Sequence, residues 1–389
     1  MKIKTIKQIK NLKNKRVLAR VDFNVPIKNG AVTDDARLLA SIPTIEYLLK
    51  KGAKVILVSH LGRPEGVEEK YSLRPVAERL GELLKRDIKI LDIKYLRDEI
   101  SNIKYPISML ENIRFFEGER KNDKKFAKEL AGLADYFVLD GFAVAHRDSP
   151  SVSGVAKYIP AYAGLLLEKE IVGLSKALVK PKRPFVLVLG GVKMETKIPV
   201  LKNLLPKVDY VLIGGGIFNT YLWAKGRKVG KSLIDENCKK QVLALLKNKK
   251  VVLPVDVVVG ECGKGKGERV VAVSRVIGVG SREAIFDIGP ATIRLYARYI
   301  KKAQTIVWNG AMGYFEQKPY DVGTMSIARL VASRAKGKAF GIIGGGETLQ
   351  SMEKVKMTEF VDLVSTGGGA MLEFLGGKQL PGVKAVAKK

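Results

Sequence analysis

The feature that most constrains the fold is a series of apolar runs, rich in Val, Ile and Leu, in which polar residues do not alternate with apolar ones. Strands buried on both faces of a parallel sheet have this pattern, whereas strands with one solvent-exposed face alternate. We predict strands at 17–23, 54–60, 107–110, 136–142, 185–190, 210–214, 251–259, 305–308, 339–343 and 362–365.

Helical patterns separate these runs. Apolar residues recur in 34–51 at the three- and four-residue spacing of one helix face. The same spacing occurs in 73–85, 123–133, 198–205 and 291–300. Alternation of strands and helices predicts an α/β fold built on mostly parallel sheets.

The chain length of 389 residues exceeds the usual size of one domain, so we expect two. A long helical pattern at 164–179 lies between Pro160 and the proline-containing segment 180–184. We interpret this helix as the connector, with a hinge, between two doubly wound parallel-sheet (Rossmann-like) domains.

In the second half of the chain, predicted strands run directly into glycine clusters at 190–191, 214–216, 344–346 and 367–369. Ligands of open α/β sheets bind at the carboxyl ends of the strands, where glycine lets a phosphate approach backbone amides. Tight packing alone can also require glycine, but the repetition favours nucleotide or phosphate binding. A segment similar to a Walker A loop, 226–232, has one residue too few between its glycines and follows a helical pattern.

In the first half, polar side chains follow the predicted strands instead. They are Arg20, Asp22 and Asn24; His60 and Arg63; Arg114; and His146 and Arg147, with Arg37 at the start of the first helix. Guanidinium groups bind phosphate and carboxylate, and His, Asn and Asp can hold hydroxyl groups. Taken singly, each of these residues could form a surface ion pair. Together they predict a site for a small polyanion, and therefore a two-lobed enzyme.

The charge balance leaves a second class of function open. Lys and Arg number 69 and Asp and Glu 39, and the net charges of 1–180 and 181–389 are +11 and +19. Such an excess suits nucleic acid or a phosphorylated small molecule, although solvated lysines on helix faces also explain it. A nucleic-acid-binding protein needs basic and aromatic residues clustered on one face, and aromatics are only 7%. We expect no specific nucleic-acid partner; weak, salt-sensitive RNA binding stays open.

The remaining sequence features point to a cytoplasmic protein. Cys238 and Cys262 are too few for a disulfide framework or a four-ligand zinc site. The Lys-rich N-terminus lacks the apolar segment of a signal peptide, and no stretch of about 20 apolar residues could span a bilayer.

Motifs along nearly the whole chain resemble those of the phosphoglycerate kinase family. They are RVDFNVP at 20–26, SHLGRP at 59–64, LENIRF at 110–115, AHR at 145–147, GGVKMETK at 190–197, WNGAMGYFE at 308–316, IGGGET at 343–348, STGGGA at 365–370 and QLPGV at 379–383. The combination of RVDFNVP and SHLGRP is highly specific.

The resemblance implies reversible phosphoryl transfer between 1,3-bisphosphoglycerate and Mg-ADP, giving 3-phosphoglycerate and Mg-ATP, by a cytoplasmic monomer. It implies a phosphoglycerate-binding domain at 1–165, onto which residues from about 376 to 389 fold back, and a nucleotide-binding domain at 166–375. The implied phosphoglycerate ligands are Asp22, Asn24, Arg37, His60, Gly62, Arg63, Arg114 and Arg147. The implied nucleotide ligands are Lys193, Lys197, Gly214, Gly215, Asn309, Glu316, Gly345, Gly346, Glu347 and Thr348.

Within this set, the resemblance implies that Glu347 meets Mg²⁺. Arg37 and Lys193 are the residues we expect to stabilise the charge of the transferring phosphoryl group.

The sequence departs from the family pattern at a few positions. Glu347 stands where Asp is usual, and Ala311 replaces the usual Pro. Residues 148–150 lack a second His, and 141–144 vary the usual motif. An inactive kinase fold retained for interaction is therefore an alternative, against which the presence of Arg37, Lys193 and Lys197 argues.

Overall fold

The structure is a computed structural model that describes residues 2–91, 105–262, 268–275 and 279–388. It divides into two compact units. The first unit comprises Met1–Val172 and Gln379–Lys389, and the second comprises Gly173–Lys378. Among the described residues, no helix has the length and apolar character needed to cross a membrane.

The first unit is built on a six-stranded parallel sheet. Its strands are β1 (Arg16–Arg20), β4 (Lys54–Val58), β5 (Lys89–Leu91), β6 (Ile107–Leu110), β7 (Tyr136–Leu139) and β8 (Ala161–Ala163), and a separate hairpin pairs β2 (Ile27–Lys28) with β3 (Ala31–Val32). The order across the sheet is β5-β6-β4-β1-β7-β8. The helices are α1 (Ala36–Lys50), α2 (Arg74–Leu84), α3 (Glu117–Arg120) and α4 (Lys124–Ala131). Residues of β1, β4, α1 and α2 share one buried apolar cluster.

The division between the units falls inside helix α5 (Leu165–Val179), between Val172 and Gly173. This helix occupies the segment predicted as the connector. Its first turn is fixed within the first unit, because the backbone N–H of Leu166 donates to the carboxyl of Asp140.

The second unit contains another six-stranded parallel sheet, of order β11-β10-β9-β15-β16-β17. These strands are β9 (Phe185–Leu189), β10 (Tyr210–Ile213), β11 (Val251–Val252), β15 (Thr305–Asn309), β16 (Phe340–Gly344) and β17 (Leu363–Ser365). The helices are α6 (Met194–Leu204), α7 (Gly215–Ala224), α8 (Lys239–Leu246), α9 (Pro290–Ile300), α10 (Val322–Ala335), α11 (Gly346–Lys354) and α12 (Gly369–Leu375). The predicted α/β class with two doubly wound parallel-sheet domains is confirmed.

The apolar run at 251–259 does not form the single strand that we predicted. It forms β11 and then β12 (Asp256–Glu261), which belongs to a separate antiparallel sheet of order β13-β12-β14. Its partners are β13 (Arg269–Ala272) and β14 (Glu283–Ile288). Pro254 lies between the two halves of the run and lacks the N–H that a continuous ladder needs.

The C-terminal segment packs on the first unit. Its helix α13 (Pro381–Ala385) brings Gly382 against Leu139 and Ala145, and the Gly382 N–H donates to the Ala145 carbonyl at 2.9 Å. The Lys4 N–H donates to the Val386 carbonyl at 2.8 Å, so the two chain ends pair with each other.

Candidate active site

Some of the predicted site residues follow strands at which the sheet order reverses, and the others follow neighbouring strands. Asp22 and Asn24 follow β1, whereas His60 follows β4 and Gly345 follows β16. In the first unit, β4, which follows β1 in this sheet along the chain, lies on one side of β1, and the later strand β7 lies on the other. In the second unit, β10 lies on one side of β9 and the later strand β15 lies on the other. The crevice beyond such a switch point is where open α/β sheets bind ligands.

A pair of charged side chains lies beyond β1. Arg37, in the first turn of α1, donates from Nη1 to Oδ2 of Asp22 at 2.6 Å. Asp22 is buried and the Arg37 side chain is 36% exposed, so the remaining N–H groups of Arg37 can meet a ligand. Asp22 therefore orients Arg37 while leaving part of its guanidinium available.

His60 is buried beside this pair, in surroundings that favour its neutral form. Burial holds its pKa well below the usual value, and the nearby charges of Arg20, Arg147 and Arg37 lower it further. Its Nδ1 lies 3.3 Å from Nη2 of Arg20, which can only donate. We assign the ring proton to Nε2 on this basis, which makes Nε2–H a hydrogen-bond donor for a ligand.

Asn24, Gly62 and Arg114 are joined by hydrogen bonds. The Gly62 N–H donates to Oδ1 of Asn24 at 2.8 Å, and Arg114 donates from Nη1 to the Gly62 carbonyl. Gly62 has a φ of +61°, and a Cβ there would lie 2.3 Å from the Tyr71 ring. The turn after β4 therefore requires glycine and is fixed against two predicted ligands.

A cavity of about 320 Å³ in the first unit is lined by five arginines. Arg20, Arg63, Arg114, Arg120 and Arg147 line it, together with Pro64, Glu119 and Ser149. None of these arginines forms an ion pair with a carboxylate within the described part of the chain, whereas Arg37 and Arg79 do. Such an excess of unpaired guanidinium groups suits a phosphate dianion.

Two buried charged groups lie beneath this cavity. Arg20 is 1% exposed and donates from Nε to Ser151 Oγ at 3.0 Å. Burial lowers its pKa to about 10, although the charges of Glu119 and Asp22 oppose the shift. Glu119 accepts from the hydroxyls of Ser149 and Ser151, each at 2.7 Å. The sequence marked Arg20 as a charged residue at the end of an apolar strand, without a ligand role of its own, and no local pattern marked Glu119.

In the second unit, the loops that follow the strands pack backbone against backbone. A Cβ at Gly190 would lie 2.0 Å from the Ala311 carbonyl oxygen, and one at Gly215 would lie 2.8 Å from it. A Cβ at Gly214 would meet the sulfur of Met312. Packing therefore accounts for part of the glycine pattern that we attributed to phosphate binding.

Gly346 has a different environment. A Cβ there would meet nothing within 4 Å, and it is the first residue of α11, after β16. The preceding Gly345 lies against the side chain of Asn309. The open amides of this helix start can meet phosphate oxygens.

Lys197 and Asn309 are in direct contact. Lys197 Nζ donates to Asn309 Oδ1, and Asn309 Nδ2 donates to the Gly344 carbonyl at 2.6 Å. Burial lowers the pKa of Lys197 to about 8, and the nearby Glu347 carboxylate partly opposes this shift. Thr348 binds the residue after Asn309, because its Oγ1 accepts from the Gly310 N–H at 2.7 Å.

Glu347 and Glu316 face a larger cavity of about 570 Å³. Gly191, Gly215, Phe286, Met312 and Tyr320 are among the other residues that line it, so its walls are largely apolar. Glu347 Oε2 accepts from the Ala311 N–H at 3.2 Å at one edge. The exposed Lys193 precedes α6 and does not line this cavity. An apolar pocket with a polar phosphate end suits a nucleotide.

The described residues contain no group of three or more His, Cys, Asp or Glu side chains able to hold a metal. Glu347 offers one exposed carboxylate beside the open start of α11. Mg²⁺ is commonly held by one or two carboxylates together with substrate phosphates and water. The residues present therefore fit Mg²⁺ that arrives with a nucleotide.

Comparisons with known proteins point to one family. The family model described as phosphoglycerate kinase matches residues 6–378. Curated phosphoglycerate kinases of Dictyoglomus turgidum and Pelotomaculum thermopropionicum are 46% and 47% identical, each over 99% of this chain and 99% of the relative. The solved phosphoglycerate kinase of Coxiella burnetii is 41% identical with a TM-score of 0.88, over 99% of this chain and 100% of that one. That of Pyrococcus horikoshii is 34% identical with a TM-score of 0.85, over 99% and 98%.

Proposed function

This chain belongs to the phosphoglycerate kinase family, and we propose from that premise a reaction and a role for each site residue. The reaction is reversible phosphoryl transfer from 1,3-bisphosphoglycerate to Mg-ADP, giving 3-phosphoglycerate and Mg-ATP. The observation that carries the assignment is the coexistence of an arginine-lined cavity in one unit and an apolar pocket with a polar, open helix start in the other.

The first unit binds phosphoglycerate in this proposal. The phosphate at C3 enters the cavity lined by Arg63, Arg114 and Arg147, because these guanidinium groups have no carboxylate partner in the described structure. The hydroxyl at C2 meets Asp22 and Asn24. The reacting carboxyl group then lies toward Arg37 and the Nε2–H of His60, while Gly62 shapes the turn beside it.

The second unit binds the nucleotide. The base occupies the apolar cavity beside Gly214 and Gly215, and Glu316 lies at its mouth. The phosphates extend to the start of α11, where Gly345, Gly346 and Thr348 offer backbone and hydroxyl groups. Lys197, positioned by Asn309, and Lys193 supply positive charge there. Mg²⁺ held by Glu347 would neutralise charge on the nucleotide phosphates when bound.

The transfer itself needs positioning and charge rather than a base. A carboxylate oxygen of 3-phosphoglycerate attacks the terminal phosphorus of ATP, and the bond to the ADP oxygen breaks. The acceptor is already ionised near neutral pH, so no proton has to be removed. Arg37 and Lys193 stabilise the negative charge on the equatorial oxygens of the transferring group.

We further propose that a closing movement about the connecting helix brings the substrates into line and excludes water, which limits ATP hydrolysis. The protein would act as a cytoplasmic monomer in glycolysis and gluconeogenesis. No specific nucleic-acid partner is proposed.

The test is turnover of 3-phosphoglycerate and ATP, coupled to NADH oxidation by glyceraldehyde-3-phosphate dehydrogenase, across a Mg²⁺ titration. We expect Mg²⁺-dependent turnover, and a Glu347→Gln variant that needs about tenfold more Mg²⁺ for half-maximal rate, as for loss of one metal-site carboxylate interaction. Folded, ATP-binding protein without turnover would favour the inactive-kinase alternative.

A further inference from the structure

We propose that Arg120 is a further substrate-binding residue, whose guanidinium binds the phosphate at C3 of phosphoglycerate together with those of Arg63, Arg114 and Arg147. This inference rests on the proposed function. It concerns a residue that lies outside the motifs carrying the family resemblance, since LENIRF ends at 115.

Arg120 occupies the rim of the arginine-lined cavity. It is the last residue of the short helix α3, it is exposed, and it lines the cavity with Arg63, Arg114 and Arg147. Its Nη1 donates to the carbonyls of Arg114 and Phe115, at 2.6 and 3.2 Å. These bonds tie the Arg120 guanidinium to the turn that carries Arg114.

The acidic neighbours of Arg120 do not neutralise it. Glu117, one turn earlier, pairs with Lys121. Glu119 turns inward and accepts hydrogen bonds from the Ser149 and Ser151 hydroxyls and from the Ser151 N–H. In the described structure, no carboxylate pairs with Arg120, and its Nε and Nη2 groups have no acceptor. The guanidinium is therefore held at one nitrogen and has two others with which to bind an anion.

The chemistry favours phosphate at this position rather than the reacting carboxyl group. Five guanidinium groups without carboxylate partners line one cavity, Arg120 and the buried Arg20 included, and a dianion with three equivalent oxygens can accept hydrogen bonds from several of them at once. Arg37 is instead paired with Asp22. A residue that binds only the phosphate contributes equally in the ground state and the transition state, so its loss changes KM and not kcat.

The experiment compares wild-type protein with Arg120→Gln, Arg120→Lys and, as a matched control, Arg86→Gln, an exposed arginine of the same unit that lines no substrate cavity. We expect Arg120→Gln to raise the KM for 3-phosphoglycerate about threefold to tenfold, the range for losing a partly screened ion pair. The kcat and the KM for ATP stay at wild-type values. Arg120→Lys restores part of the affinity, and higher ionic strength narrows the difference from wild type.

Other results would overturn the inference. If Arg120→Gln has the same KM for 3-phosphoglycerate as Arg86→Gln, while the KM of an Arg147→Gln variant rises, then Arg120 does not belong to the site. The proposed function would still stand. If Arg120→Gln lowers both kcat and the melting temperature, and Arg120→Lys restores neither, then Arg120 only stabilises the turn at Arg114. Wild-type protein without turnover would instead overturn the proposed function.

Discussion

In the proposed mechanism, single side chains supply the positive charge that phosphoryl transfer requires. We predict that Arg37→Ala and Lys193→Ala each lower kcat about 100- to 1,000-fold, the usual loss when one preorganised charge at the transition state is removed. Lys193 is exposed, so the melting temperature of Lys193→Ala should change little, whereas Arg37→Ala leaves the buried Asp22 carboxylate without its partner and should lower the melting temperature. Steady-state kinetics beside the exposed controls Arg74→Ala and Lys202→Ala would measure this. A kcat within a few-fold of the controls would contradict the assigned roles.

Lys197 should make nucleotide binding depend on pH. Burial lowers its pKa to about 8, so the unliganded protein loses this positive charge as pH rises through that value. The KM for Mg-ATP should therefore increase between pH 7 and 9, because a neutral amine attracts phosphate less. Arginine keeps its charge throughout this range, so Lys197→Arg should flatten the profile. The same pH dependence in both proteins would show that another group is responsible.

The sequence was informative at this scale wherever a polar side chain follows an apolar strand. Asp22, His60 and Arg114 stand out in that way. Glu119 does not, because it lies in a short helix, and only the fold brings it beneath the same cavity as Arg20. Contacts between residues about 100 positions apart, such as Lys197 with Asn309, likewise cannot be obtained from local pattern.

At the scale of helices and strands, the apolar runs predicted ten of the twelve strands of the parallel sheets, because such runs are typical of strands buried on both faces. They missed β5 and β8, which have only three residues each. They also failed for the antiparallel sheet of β12, β13 and β14. Our prediction joined β12 to β11 across Pro254 as one strand. It did not include β13, whose residues are all exposed or half-buried. The four glycines among charged residues at 260–267 predict a hairpin, but most of that segment, residues 263–267, lies outside the described part of the chain.

Asp140 joins three elements of the first unit. It follows β7, is fully buried, and accepts through Oδ1 from the Thr44 hydroxyl of α1 at 2.8 Å and the Leu166 N–H of α5 at 3.0 Å. Thr44 Oγ1 in turn accepts from the Leu165 N–H at 2.9 Å. The start of the connecting helix is thus tied to the helix that carries Arg37.

Asp140 should also make stability depend on pH. Burial raises its pKa from 3.8 to about 7, so between those values the folded state binds more protons than the unfolded state. Stability from this group is present in acid and is lost as pH rises through about 7. Asp140→Asn, which cannot ionise, should lose less stability than wild type between pH 5 and 8, as measured by urea midpoints. Asp87→Asn, at an exposed position, should behave as wild type. Equal pH dependence in Asp140→Asn and wild type would contradict the prediction.

At the scale of the whole molecule, the proposal places one substrate site in each of the two units, so each substrate should stabilise its own unit. We predict that 3-phosphoglycerate slows amide hydrogen exchange around 20–24, 60–63 and 114–120, and that ADP with Mg²⁺ slows it around 190–197, 310–316 and 345–349. Hydrogen-exchange mass spectrometry with each ligand alone would measure this. Protection of 345–349 by 3-phosphoglycerate alone, with none at 114–120, would reverse the assignment.

Transfer of the terminal phosphoryl group of ATP to the carboxylate of 3-phosphoglycerate can be observed by ³¹P NMR of protein, Mg-ATP and 3-phosphoglycerate, without any coupling enzyme. We expect the γ-phosphate signal to decline while an acyl-phosphate signal appears, and neither to change when 3-phosphoglycerate or Mg²⁺ is omitted. ATP consumption that yields inorganic phosphate without acyl phosphate, or unchanged spectra from folded protein that binds ATP, would contradict the proposed reaction.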